Sequence, residues 1–97
     1  MKFHFSMRLR SRVDSNQKQL VSELRAIGVG VIHLHQLAHG VPDLLCVYHN
    51  KLYLMEVKGK KGKLTTDQIE FMSKWKGKIH IVTCLTDCLT IFKEMKG

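Results

Sequence analysis

GVPDLLCVYHNKLYLMEVK, residues Gly40 to Lys58, decides the reading of this chain. Leu44 to Tyr48 and Leu52 to Val57 are apolar runs rich in strand formers, and His49-Asn50 between them is a tight-turn pair. A hairpin symmetric about the 49/50 bond pairs Tyr48 with Lys51 and, further along, places Asp43 opposite Glu56. Opposed residues of an antiparallel pair hold their Cβ atoms about 4.5–5.5 Å apart. Two carboxylates at that separation repel unless something compensates, and a divalent cation is the usual compensation. Lys58 lies two residues beyond Glu56 and so points to the same face. The hairpin delivers two acids and one ammonium to one place.

That trio suits phosphodiester hydrolysis. Two carboxylates can hold Mg²⁺ or Mn²⁺ against a phosphate oxygen, where the cation acidifies water and neutralises developing charge. Lys58 can orient the attacking water or stabilise the transition state electrostatically. The plainer alternative makes Asp43 a turn residue after Pro42, and Glu56 and Lys58 a solvated strand end.

The same residues carry a resemblance. Pro42-Asp43 followed by Glu56-Val57-Lys58 resembles the PD-(D/E)xK nuclease signature. Together with Gly40, the basic Gly/Lys loop and Leu64-Thr65-x-x-Gln68, it resembles the small stand-alone VRR-NUC nucleases, over roughly Val13 to Val82. The resemblance implies a restriction-endonuclease-like αβββαβ core: an α/β fold with a small mixed central sheet flanked by helices. It implies a metal-dependent endonuclease, branched DNA such as Holliday junctions or flaps as substrate, and a homodimer. Stand-alone chains of this look are often virus-encoded. Asp43 and Glu56 are then the metal ligands, with the Val57 carbonyl as a further one. In such nucleases the first helix often supplies a ligand glutamate. That position falls on Gln17, which can ligate through its carbonyl but brings no charge; Asp14, one turn earlier, is the substitute.

The chain of 97 residues is expected to form a single domain, 1–97, with net charge +8 and pI near 9.7. A domain this basic usually meets a polyanion, with nucleic acid the default. No apolar run approaches the ~20 residues of a membrane span. Met1 to Arg10 lacks the apolar centre of a signal peptide, so a cytoplasmic location, in a host cell if virus-encoded, is expected. The three cysteines are read as free thiols, with Cys46 and Cys84 buried in strand-like runs. Cys84-x-x-x-Cys88 lacks a second ligand pair for zinc.

Met1 to Arg12, with alternating Arg8, Arg10 and Arg12, reads as an arm or an edge strand, either contacting phosphate or a dimer partner or forming a frayed, solvated terminus. Asp14 or Ser15 caps a helix to about Ile27 with Leu20, Leu24 and Ile27 on one face, and Gly28 ends it. Val29 to Leu37 reads as a strand with His33 and His35 on one face, either a polar face or a pair that meets metal or phosphate. His39 is a loop residue or a DNA contact. Lys58-Gly59-Lys60-Lys61-Gly62-Lys63 is not a phosphate-binding loop of nucleotide-dependent enzymes, since Leu64 follows Lys63, and no nucleotide cofactor is expected. Lys60, Lys61 and Lys63 are candidates for tracking phosphates, or else a solvated charged loop.

Thr65-x-x-Gln68 fits a capping box opening a helix to about Lys76. Gln68 either reaches back to the cap or faces the site, and the two can both hold. Phe71 and Trp75 read as core, with Gln68, Met72 and Trp75 on a face packed against the sheet. Lys78 to Leu85 reads as a strand parallel to Leu52–Val57, and Thr86 or Asp87 as the cap of a last short helix with Leu89, Ile91 and Phe92 at least partly buried.

The expected function is a structure-selective DNA endonuclease dependent on Mg²⁺ or Mn²⁺. Asp43, Glu56, Lys58 and Gln68 carry the chemistry, Gln17 and Val57 complete the metal site, and Arg12, His39 and the loop lysines grip the strand. The alternative from another class is a non-enzymatic DNA-binding module on a decayed nuclease fold. An RNA-directed nuclease is the third reading, although no aromatic stacking platform stands out in the sequence.

Overall fold

The hairpin closes through His49 and Asn50, both at positive φ, 52° and 65°. Left-handed conformations at both central residues are what a two-residue type I′ loop requires. Strand β2 (Leu44–Tyr48) therefore meets β3 (Lys51–Val57) with Tyr48 opposite Lys51 and Leu44 opposite Met55. The computed structural model describes residues 15–34, 36–59 and 61–94. The stretch Met1 to Arg12 with its three arginines, Asp14, His35 and Lys60 lie outside the described residues.

Around the hairpin stand α1 (Ser15–Ala26), β1 (Gly30–His33), α2 (Thr66–Lys74), β4 (Ile79–Val82) and α3 (Leu85–Glu94). The chain is a mixed α/β fold with the expected order of helix, three strands, helix, strand, helix. The sheet runs β1-β2-β3-β4; the first two pairings are antiparallel, and β3 and β4 are parallel with Leu54 opposite Ile79.

Alternation along the strands divides the residues between two faces. Leu44, Cys46, Tyr53, Met55, Val57 and Val82 are buried with Leu20, Val21 and Leu24 of α1 and with Cys88 and Phe92 of α3. Those two helices therefore share one face. The opposite face carries Glu56 and the exposed side chains of Ile32, Val47, Leu52 and Ile81.

Helix α1 ends in a left-handed glycine, Gly28 at φ 94°. Val29 N–H then bonds the Leu24 carbonyl at 3.0 Å, and Gly28 N–H the Arg25 carbonyl at 3.1 Å. This is a Schellman closure, available cheaply to glycine because it has no Cβ.

Several elements are shorter than expected, because a strand lasts only as long as its partner. β1 stops at His33, opposite Leu44, rather than at Leu37. Beyond that pair Leu34 N–H still bonds the Asp43 carbonyl at 2.7 Å, but Pro42 has no N–H to continue the ladder. β4 ends at Val82, opposite the last residue of β3, so Cys84 is exposed and not buried. α3 begins at Leu85, earlier than Thr86 or Asp87, and the Asp87 carboxylate accepts from Thr83 N–H at 2.8 Å. Leu89 is exposed, whereas Phe92 is buried.

The largest correction concerns α2. It contains no buried residue, it stops at Lys74, and Trp75 is 44% exposed. Phe71 and Met72 are half-buried. Apolar spacing correctly indicated an amphipathic helix, but the expected packing of Phe71 and Trp75 into the core does not occur.

Candidate functional site

Asp43 and Glu56 are the next opposed pair beyond Leu44 and Met55 in the hairpin register. A type I′ loop closes on a hydrogen-bonded pair. Alternation makes 43/56 a pair of the other kind, in which side chains approach most closely. The ladder ends here because Pro42 interrupts it, and the Asp43 side chain replaces the backbone. Its Oδ2 accepts from Val57 N–H at 2.8 Å. One carboxylate is thus locked to the strand that carries the other.

Glu56 is almost wholly buried. Its Oε2 accepts from Gln68 Nε2 at 2.6 Å and lies 3.6 Å from Lys58 Nζ. Its Oε1 is buried and meets no donor among the described residues. Burial first, and then the charge of Asp43, push the Glu56 carboxyl up to about 7, against the pull of Lys58. An ionised Glu56 is therefore short of positive charge in spite of its lysine.

Gln68 completes the capping box and also reaches Glu56. Thr65 Oγ1 accepts from Gln68 N–H at 3.1 Å, and Gln68 Oε1 accepts from Thr65 N–H at 2.9 Å, which completes the capping box. The same carboxamide turns its Nε2 to Glu56. The start of α2 is brought up by Gly40, at φ 82°. A Cβ there would collide with the Asp67 carbonyl. His39 Nδ1 lies 3.7 Å from Asp67 Oδ2 across the same contact.

Lys58 is held from behind. Its N–H bonds the Val82 carbonyl at 2.9 Å, and Asn16 Nδ2 spans the Lys58 and Thr83 carbonyls at 3.4 and 3.2 Å. Asn16 was not singled out in the sequence, because a helix asparagine has no spacing that announces a partner 42 residues away. Only 18% of the Lys58 side chain is exposed.

Asp43, Glu56, Val57, Lys58 and Gln68 thus converge at one end of the sheet. Gln17 is buried in α1 with Nε2 3.4 Å from Nδ1 of His33. Lys61 and Lys63 are exposed on the loop after β3, where Gly62 N–H bonds the Gly59 carbonyl at 2.9 Å.

Among the described residues, no three or more His, Cys, Asp or Glu side chains converge as a metal cage. The donor set is two carboxylates; the Gln68 carboxamide presents its Nε2 to Glu56 and commits its Oε1 to Thr65 N–H. Hard oxygen ligands in that small number fit Mg²⁺, which keeps several waters and is held by one or two carboxylates plus substrate phosphate. The donorless Oε1 of Glu56 is the atom that such a cation would satisfy. None of the family models, curated proteins and solved structures compared with the chain matches it.

Proposed function

We propose that the chain is a divalent-metal-dependent nuclease that hydrolyses phosphodiester bonds of DNA. The observation that carries the reading is Asp43 opposed to a buried Glu56 whose Oε1 has no donor, with Lys58 alongside. Asp43 and Glu56 would hold Mg²⁺ or Mn²⁺, with the Val57 carbonyl and Gln17 as the further ligands that the family resemblance suggests. A bound cation supplies charge neutralisation at the phosphate and a more acidic water.

The chain's own groups do the rest. Lys58 presents an ammonium beside the carboxylates, placed to orient water or to stabilise charge growing on phosphate oxygens. Gln68 keeps Glu56 Oε2 in one orientation. Val57 N–H does the same for Asp43, so neither carboxylate must be ordered when substrate arrives. Lys61 and Lys63 lie directly after the strand that carries Glu56, where phosphate contacts bind any sequence. The excess of basic residues suits that partner.

The resemblance to VRR-NUC nucleases extends the proposal to a restriction-endonuclease-like core, to branched substrates such as Holliday junctions or flaps, and to a homodimer that presents two sites. The experiment is cleavage of labelled four-way junction, flap, linear duplex and single strand with Mg²⁺, Mn²⁺ or chelator, beside Lys58→Ala. Metal-dependent cutting absent in the variant is expected. Tight DNA binding without cutting in either metal would favour the binding-module reading. Gln17, neutral where an acid is usual, is the observation on its side, and Gln17→Glu its next variant.

A further inference from the structure

Helix α2 and its C-cap leave Ile69 and Trp75 55% and 44% exposed, with Phe71 half-buried between them. The rings of Phe71 and Trp75 stack with centroids 5.4 Å apart and planes 20° from parallel. Gly77 abuts the indole: a Cβ there would lie 2.8 Å from Trp75 Nε1. The rings wall an open cavity of about 370 Å³ shared with His39, Asp67, Glu70 and Lys74. Of the two acids, Glu70 is paired with Lys74 at 3.0 Å, and Asp67 lies 3.7 Å from His39 Nδ1, an ion pair only when that imidazole is protonated. Lys76 and Lys78 follow, both exposed.

The cavity is lined by the helix that also carries Gln68, whose Nε2 reaches Glu56. Gln68 and Phe71 stand at i and i+3 on one helix face, and Trp75, the C-cap residue, continues the turn with its N–H on the Phe71 carbonyl at 3.0 Å. Seven residues at ~1.5 Å each span about 10 Å. That is about three nucleotide rises at ~3.4 Å. Aromatic rings beside cations are how single strands are gripped without regard to sequence, because every base has a face to stack.

We infer that Phe71 and Trp75 form a stacking site for an unpaired base of a nucleic-acid strand whose backbone runs to Asp43, Glu56 and Lys58. The inference rests on the nuclease reading for the course of the strand, and it deepens that reading by selecting substrates with single-stranded character. The ring pair is ordered before binding, so little side-chain freedom is lost when a base arrives.

Trp75 is the sole tryptophan of the chain, so its fluorescence reports on this site. A short single-stranded oligodeoxynucleotide is titrated in chelator, where nothing is cut, beside the same backbone made abasic throughout. The intact strand should quench Trp75 and bind roughly ten-fold tighter than the abasic one. By anisotropy of labelled strands, Trp75→Leu and Phe71→Leu should each shrink that preference severalfold without changing the salt slope.

Equal quenching and equal affinity for the two strands would overturn the proposal. So would an undiminished preference in both variants. Self-association lost in Trp75→Leu, seen by sedimentation without DNA and unaffected by adding it, would assign the rings to a second copy and overturn it as well. Cutting is read separately with Mn²⁺. Base preference without cutting removes the nuclease and keeps the stacking site; cutting without base preference removes the stacking site alone.

Discussion

Replacing Glu56 by glutamine isolates the cost of the buried charge. The folded protein holds the Glu56 proton up to about pH 7, whereas an ordinary glutamate releases it near 4.5. Between those values the folded state binds more protons than the unfolded one. The metal-free protein is thus favoured at low pH and loses stability as pH rises through this window. The displacement corresponds to roughly 3 kcal/mol at ~1.4 kcal/mol per tenfold. For a domain near 100 residues, that is on the order of 10–20 °C in melting temperature.

Glutamine is neutral throughout. Its carbonyl can still accept from Gln68 Nε2, and its amide can face the Asp43 carboxylate. Glu56→Gln should therefore flatten the fall between pH 5 and 8 in chelator and melt above wild type at pH 8. His80, held below its usual range first by burial and then by Lys78, contributes the opposite slope. Comparing variant with wild type removes that contribution. Added Mn²⁺ at a hundred times its dissociation constant should stabilise wild type by about 2.7 kcal/mol and the variant by far less. A variant with the wild-type pH profile, or one stabilised equally by Mn²⁺, would refute the placement of a strained acid and a cation at this point.

Asp43→Asn keeps an acceptor for Val57 N–H but removes the charge, so calorimetry should show Mn²⁺ binding lost with the fold intact. Gln68→Ala removes a cap partner and a donor to Glu56; chemical denaturation should show a loss of about 1–3 kcal/mol. Neutralising Lys60, Lys61 and Lys63 together should reduce the salt slope of DNA binding by about 2–3, since each phosphate contact contributes ~0.9. Gly40→Ala would drive a methyl into the Asp67 carbonyl and force a left-handed alanine. Melting should fall, and activity should fall further than Gly59→Ala causes, where a Cβ meets open space.

The hairpin was legible because strand alternation has a period of two and the His49-Asn50 loop leaves no slack. Once Tyr48 meets Lys51, Asp43 must meet Glu56. The capping box was legible for a similar reason, since both of its partners lie within four residues. Strand ends were not. Val29 to Leu37 and Lys78 to Leu85 look extended throughout, but each pairs only where β2 or β3 offers a free edge. Nor could the fate of Phe71 and Trp75 be read. Helical spacing tells which side chains share a face, not whether anything covers it.

The core contains a small sulfur cluster with a use of its own. Cys46 Sγ and Cys88 Sγ lie 3.9 and 3.7 Å from Met55 Sδ, which joins the hairpin to α3. Burial raises the two thiols to about 11 and 12, while Cys84 is exposed. In neutral buffer a thiol reagent meets Cys84 at once, but the other two only after the interior opens. Labelling in the native state thus becomes a stopwatch for breathing: its slow phase times the separation of sheet from helix, with no dye, denaturant or engineered probe.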